Sequence, residues 1–496
     1  MRNSFFFAAA LLACSSLSGQ SSPPPLITGD FADPSIIRSG NDYFAVGTSS
    51  EWAPHFPVYH STDLRSWQQT GYIFDKAPDW TVGSFWAPEY YRIGNKLLFY
   101  YTARRKSDNK SCLGVATSDY PDRGFADHGV LIDHGTEAID AFVFDDDGQL
   151  YISFKAYGLD KRPIELLAYK LSADGLHLEG EPFMLLRDDE KKGMEGQSML
   201  KRNGYYYLFY SAGGCCGAGC SYNVQVARSR NLAGPYEKYE GNPILAGYDN
   251  WQCTGHGTFV STPENAVYYL HHAYDKAGTV YTGRQGMLSA LAWNDETNWP
   301  RLLAPATTGN QPAGIADEFD AATPAIYWQW DWRHSTAQVQ QKNGRLSLAG
   351  ISKSDNQAGT VLTVRPAQPA FKVQTAMPAA SPALTGLAYY GDATAAIGFG
   401  VEKNKLIVWQ IKNKERKQLA TRSLPGEKAE LQIQVTAEHK ALFKYRLPGK
   451  AWQNMPLEPV PVDFLPQWDR SPRPGLHTHA TTRNPATFDY FSLVYE

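Results

Sequence analysis

Five segments of this 496-residue chain begin a β pattern at nearly even spacing, and three of them open with a carboxylate: Asp33, Asp140 and Glu195. The starts fall near 33, 87, 140, 195 and 256, in steps of about 54, 53, 55 and 61 residues, a period that belongs to propellers and other arrays. If each repeat is one blade, its innermost strand starts near a common axis. Three acids far apart in sequence then meet at one mouth.

Each repeat has the same local grammar: a β-rich run, a tight turn and an aromatic-rich run. Ser35-Ile36-Ile37 leads through Gly40-Asn41-Asp42 to Tyr43-Phe44, and Tyr90 to Ile93 leads through Gly94-Asn95 to Leu97 and Tyr101. Asp147-Gly148 and Asn203-Gly204 mark the same turn in the third and fourth repeats, and Glu264-Asn265 in the fifth. Asn, Asp and Gly between short strands are hairpin signals. No stretch of ten or more residues after the N-terminus has helical periodicity, so the chain reads as all-β. Residues 26–302 hold the repeats, and 303–316, rich in Pro, Ala, Thr and Gly, read as a linker. From 317 to 496 the strands continue without the repeat, which predicts a β-sandwich.

The first 25 residues read as an export signal and tether: Arg2, then an apolar core from Phe5 to Ala13 that is too short to span a bilayer. Leu11-Leu12-Ala13-Cys14 is similar to a bacterial lipoprotein box, so a lipid anchor on Cys14 competes with plain cleavage near Ser18. Either route takes the protein out of the cytoplasm, to a secreted or periplasmic location, with no transmembrane segment. Without Cys14 five cysteines remain, Cys112, Cys215, Cys216, Cys220 and Cys253, and an odd count leaves at least one thiol outside any intramolecular pair. The run Gly213 to Cys220 reads as a disulfide-pinned loop of open connectivity, because no second ligand pair completes a zinc set. A net charge of −3 without a basic run offers nothing to nucleic acid.

Hydrolysing a glycosidic bond takes a proton for the departing oxygen and a base for the attacking water, which two carboxyl groups in different environments can supply. Asp33 sits in Phe31-Ala32-Asp33-Pro34, Asp140 in Ala138-Ile139-Asp140-Ala141 and Glu195 in Gly193-Met194-Glu195-Gly196. Each has small or apolar neighbours, as expected where an acid enters a cleft.

With Trp86-Ala87-Pro88-Glu89, Gly255-His256-Gly257 and Gly283-Arg284, these motifs in their order and spacing resemble the inverting glycoside hydrolases of family 43 over roughly residues 26–300. The resemblance implies a five-bladed β-propeller. It also implies Asp33 as the base that activates water, Glu195 as the acid, and Asp140 as the neighbour that raises the pKa of Glu195 and positions it. Arg284 is then the arginine on the base or on a substrate hydroxyl, and Phe31 and Trp86 form an apolar platform under the terminal sugar. His256 contacts substrate or holds a structural calcium ion through water; the chemistry itself requires no cofactor. Glu89 receives no catalytic task.

The segment from Asp317, with Tyr327-Trp328-Gln329-Trp330 and Asp489-Tyr490-Phe491, is similar to the lectin-like sandwich of many β-xylosidases and arabinofuranosidases in that family, which in some members closes one side of the pocket. The expected activity is release of single arabinofuranose or xylose units from the ends of plant-type polysaccharides or oligosaccharides. A galactofuranosidase, an endo-arabinanase and a glycan-binding propeller without catalysis are the alternatives. Two departures stand out: Gln197 occupies a place where relatives often have proline, and the Cys215 to Cys220 loop is not a general family feature.

Overall fold

A computed structural model describes residues 24–158, 162–304, 312–353 and 355–496. The expected export signal, Cys14 and most of the tether lie outside the described residues, as does much of the 303–316 stretch. Among the described residues no helix is long and apolar enough to cross a membrane, and the one helical element is the single turn Thr279–Thr282.

The first unit contains five successive runs of antiparallel strands, opening with Ser35–Ser39, Thr81–Ile93, Glu137–Asp146, Met194–Arg202 and Trp251–Ser261. Each opening strand pairs with the next strand through the hairpin read from sequence, for example Asp146 opposite Gln149 and Arg202 opposite Tyr205. Both turn residues have positive φ in Asp147-Gly148 (54° and 95°) and Asn203-Gly204 (50° and 71°). That geometry matches the right-handed twist of the flanking strands, hence the Asn/Asp-Gly chemistry. The second and third runs join into one sheet through a parallel bridge between Ser111 and Glu137. Leu26 and Ile27 lie along the last run, where their amides donate to the Gly286 carbonyl (2.8 and 3.2 Å).

At matching places near the start of the five runs a residue is left-handed: Asp33 (φ 50°), Ala87 (29°), Asp140 (63°), Gly196 (57°) and His256 (40°), with a further one upstream in the second and fifth runs, Ser84 (58°) and Cys253 (53°). In four of the runs the ladder slips at this point, at Trp86/Glu89, Ile139/Phe142, Glu195/Ser198 and Gly255/Gly257. A bulge of this kind turns a strand end and re-aims its side chains. For a non-glycine residue the conformation costs roughly 1–2 kcal/mol, and the surroundings hold it by satisfying the bulge N–H from the preceding run. The amide of Ala87 donates to Thr48 Oγ1 (2.9 Å), Asp140 to Thr102 Oγ1 (3.3 Å), Gly196 to Asp140 Oδ2 (3.0 Å), His256 to Ser211 Oγ (2.8 Å) and Asp33 to His272 Nδ1 (3.0 Å). Five side-chain acceptors thus link the five starts in a closed ring. The fourth position belongs to Gly196, so Glu195 stands one residue before the place that Asp33, Asp140 and His256 share.

The C-terminal unit is built on a seven-stranded and an eight-stranded antiparallel sheet and a three-stranded one. Phe371, Val373 and Leu431 from the first large sheet and Leu387, Phe399 and Leu476 from the second share one apolar core. The strand Trp52–Ala53 of the first unit adds to the edge of the larger sheet, Ala53 opposite Trp330 and Trp52 opposite Asp331. Shared sheet edges satisfy backbone groups that an edge strand leaves open, and this join brings the segment around Asp469 to the mouth of the first unit.

Candidate active site

Asp33, Asp140, Glu195, His256, Arg284 and Trp86 line one pocket of about 260 Å³. Arg104, Glu137, Ile139, Lys155, Cys215, Cys216, Trp468 and Asp469 complete its walls. The volume sits just below the usual range for small-ligand sites, roughly 300–1,000 Å³.

Asp33 is buried and fully engaged. Arg284 Nη1 donates to both of its oxygens (3.0 and 3.2 Å), and Thr48 Oγ1 donates to Oδ2 (2.8 Å). Arg284 is itself 3% exposed and is oriented by Asp30, which accepts its backbone N–H (3.1 Å), and by the Asp469 carbonyl, which accepts from Nη2 (2.9 Å). A buried arginine persists when its charge is paired and most of its donors are matched; here both Nη atoms are bonded and Nε is not. His256 Nδ1 lies 3.7 Å from Asp33 Oδ1 and 3.8 Å from Asp140 Oδ2, between the two acids.

Around Glu195 the structure departs from the sequence reading. Asp140 was expected to push the Glu195 pKa up. Burial does act in that direction, but the Lys155 ammonium donates to Glu195 Oε2 at 2.6 Å, and the net effect holds the carboxyl below its ordinary value. Tyr222 donates to Oε1 at 3.0 Å and reinforces this. Asp140 is the acid that burial raises, to about 6, with the nearby Glu195 charge pushing the same way and His256 opposing it. Lys155 is buried, which would lower it, but the charges of Glu195, Asp140 and Glu137 and the hydrogen bond to Glu195 together outweigh that burial, so it stays an ammonium. Both Lys155 and Tyr222 were missed by sequence reasoning. Lys155 lies two residues before the end of the apolar strand Gln149–Tyr157, where a lone charge was the available signal.

Phe31 is a correction. Its ring is fully buried, packs edge-on against Tyr59 at 5.2 Å and does not line the pocket. Gly47 is glycine beneath it: a Cβ there would come within 2.8 Å of the Phe31 ring. Phe31 stands two residues before the left-handed Asp33, whereas Trp86 stands directly before Ala87, and of the two Trp86 alone lines the pocket. Trp86 Nε1 donates to Asp469 Oδ2 (3.2 Å), and its ring meets Trp468 edge-on at 5.9 Å. Asp469 also accepts from Ser50 (3.1 Å) and pairs with Arg470 (2.8 Å). The C-terminal unit therefore supplies part of the pocket wall. Glu89 points away from these groups into the core, bonded by Ser35 Oγ at 2.7 Å, and burial raises it to about 8. Gln197 uses its amide to bond the Asp140 carbonyl and Ser153 Oγ (3.3 Å), a brace behind the acids.

The calcium reading finds no support. Among the described residues no group of three or more His, Cys, Asp or Glu is placed to hold a metal ion, and calcium takes six to eight oxygens. The oxygens nearest His256 are already committed to Arg284 and to the Gly196 amide.

The cysteine loop pairs as Cys215 with its neighbour Cys216 and as Cys220 with Cys253; Cys112 is free and buried. The second bridge ties the loop to the Trp251–Ser261 strand, three residues from His256.

The family model described as glycosyl hydrolases family 43 matches residues 22–300, and that of the beta xylosidase C-terminal concanavalin A-like domain matches 316–467. The chain is 28% identical over 313 residues to the extracellular exo-α-(1→5)-L-arabinofuranosidase ArbA of Cellvibrio japonicus, covering 55% of this chain and 86% of that one. It is 26% identical over 345 residues to a β-xylosidase of Bacillus subtilis, covering 62% and 63%. For that xylosidase the match spans slightly under two thirds of the relative's length. Among solved structures, the family 43 protein BlXynB of Bacillus licheniformis superposes with a TM-score of 0.81 at 22% identity, over 96% of this chain and 99% of that one. Protein GH43B from the xyloglucan locus of Bacteroides ovatus does so with a TM-score of 0.81 at 19% identity and the same coverage.

Proposed function

The chain belongs to family 43 of the glycosyl hydrolases, and from that premise we propose that it is an exo-acting, inverting glycosidase that releases arabinofuranose or xylose from plant-type glycans. The observation that carries this reading is the small pocket with Asp33 on Arg284 at one wall, Glu195 on Lys155 at another, and Trp468 and Asp469 of the second unit closing a side. A walled pocket of about 260 Å³ suits the end of a chain rather than its middle. The relatives named as an exo-arabinofuranosidase and a β-xylosidase agree with that preference.

In this mechanism Asp33 accepts the proton of a water that attacks the anomeric carbon, with Arg284 and Thr48 fixing the angle of its carboxylate. Glu195 delivers a proton to the leaving oxygen. Two nearby carboxylates resist double ionisation, so burial and the Glu195 charge hold a proton on Asp140; that proton passes to Glu195 as Glu195 protonates the leaving oxygen, and Asp140 is left ionised. Lys155 holds Glu195 in place until the glycosidic oxygen arrives. Direct displacement by water inverts the anomeric centre. Five runs of strands arranged as propeller blades about one axis account for the meeting of the acids; the ring of amide bonds at the five starts supports that arrangement. Export follows from the N-terminal pattern, and two relatives are named as extracellular.

Nitrophenyl α-L-arabinofuranoside and β-D-xyloside, tested on wild type, Asp33→Ala and Glu195→Ala, examine the reading directly. Each variant is expected to lose roughly 10²–10⁴-fold in kcat, and NMR of the first-formed sugar is expected to show the inverted anomer. Wild-type rates in both variants, or a retained configuration, would refute the assignment.

A further inference from the structure

The bridge between Cys215 and Cys216 joins adjacent residues, so it closes no loop of chain. The chain-entropy argument therefore leaves it little to contribute to stability; the Cys220 to Cys253 bridge, 33 residues apart, serves that purpose for the same loop. What the adjacent pair does have is position. Both cysteines are half-buried and line the catalytic pocket. A rigid disulfide turn offers an apolar, polarisable surface without hydrogen-bond donors, the kind of surface on which the C–H face of a sugar ring rests.

The loop also has a side. It follows the strand paired with the one that bears Glu195, and it ends at Tyr222, whose hydroxyl donates to Glu195 Oε1 (3.0 Å). Tyr222 packs in one apolar cluster with Cys215, Cys220, Cys253 and Tyr274. At the loop tip the Gly217 amide donates to Tyr274 (3.2 Å), and a Cβ on Gly217 would stand 3.7 Å from the Trp468 carbonyl oxygen. Trp468 is 59% exposed at the same rim. The sugar beyond the bond being cut is the one attached to the oxygen that the acid protonates, so it lies on the Glu195 side.

We propose that the Cys215–Cys216 disulfide, flanked by the Trp468 indole, is the platform for the leaving-group sugar and sets the preference for a carbohydrate rather than a smaller leaving group. This rests on the glycosidase reading above. The test compares two substrates with the same sugar to be released: a disaccharide, which fills the platform, and the glycosyl fluoride, which leaves it empty. In Cys215→Ala/Cys216→Ala, with the other bridge retained, kcat/KM for the disaccharide should fall roughly tenfold, mostly through KM. The fluoride should stay within about twofold of wild type, and inhibition by the free monosaccharide should be unchanged. Trp468→Ala, at a rim position 59% exposed, should likewise lose more on the disaccharide than on the fluoride. Equal losses on both substrates, or no loss on either, overturn the proposal. A wild-type protein that hydrolyses neither substrate overturns the glycosidase reading, and the platform with it.

Discussion

Gly196 has φ 57°, and a Cβ added there would lie 2.7 Å from His256 Cγ and 2.8 Å from Nδ1. Gly94, in the hairpin of the second run, has the same φ of 57° with nothing within 4 Å of its Cβ position. The two Gly→Ala variants therefore share a backbone cost of roughly 1–2 kcal/mol and differ in the clash. For ordinary contact at 3.4 Å the His256 ring must retreat by about 0.7 Å, and it is packed between Asp33 and Asp140 with little room to do so. Overpacking of this kind adds roughly 1–3 kcal/mol. A shift near 1 Å in a catalytic constellation costs on the order of 100-fold in rate. Gly196→Ala should thus lose about 2–5 kcal/mol by urea denaturation and roughly 10–100-fold in kcat, whereas Gly94→Ala should lose only the backbone part and keep its kcat. Equal stability losses in the two variants, with kcat of Gly196→Ala within twofold of wild type, would refute the argument that the fourth axial position must be glycine to make room for the histidine.

Replacing Lys155 with Met removes the main charge that holds Glu195 down; burial is then opposed only by His256 and Tyr222, and the basic limb of the kcat/KM profile should move to higher pH, with an unmoved or lowered limb counting against the ion pair's role. Asp140, raised from 3.8 to about 6 by burial, gives the folded state a stability contribution that is full below its unfolded value and lost as pH rises through about 6. Asp140→Asn should remove that loss, so the stability difference between variant and wild type, followed by urea titration from pH 4 to 7, should grow in favour of Asn; a pH-independent difference would contradict it. Asp469→Ala deprives Trp86 Nε1 and Ser50 Oγ of their acceptor and should raise KM severalfold with a smaller change in kcat, whereas a pure kcat effect would mean that Asp469 acts on the chemistry instead.

Much of the first unit was legible because its signals are local. Hairpin chemistry at Asp147-Gly148 and Asn203-Gly204 depends on two residues and their φ values, and the repeat length located the five left-handed strand starts to within one residue. Asp33, Asp140, His256 and Arg284 could be found because each sits at such a start or in a short motif. Glu195 is the informative near miss: it was assigned to the shared position that Gly196 occupies, since a pattern of strand starts does not reveal which residue of a bulge turns left-handed.

The sequence alone determined an all-β chain, the repeat, the acids and the family to which they belong. Tertiary structure decided the rest: that Lys155, 40 residues away, pairs with Glu195; that Asp469, 383 residues from Trp86, bonds its indole; that Phe31 faces the core; and which cysteines join. Period-two alternation specifies the face of a sheet on which a side chain lies, not the neighbour it meets there. Those neighbours come from other runs and from the second unit, so the charge state of the proposed acid and the closed side of the pocket depend on contacts that exist only once the units have packed.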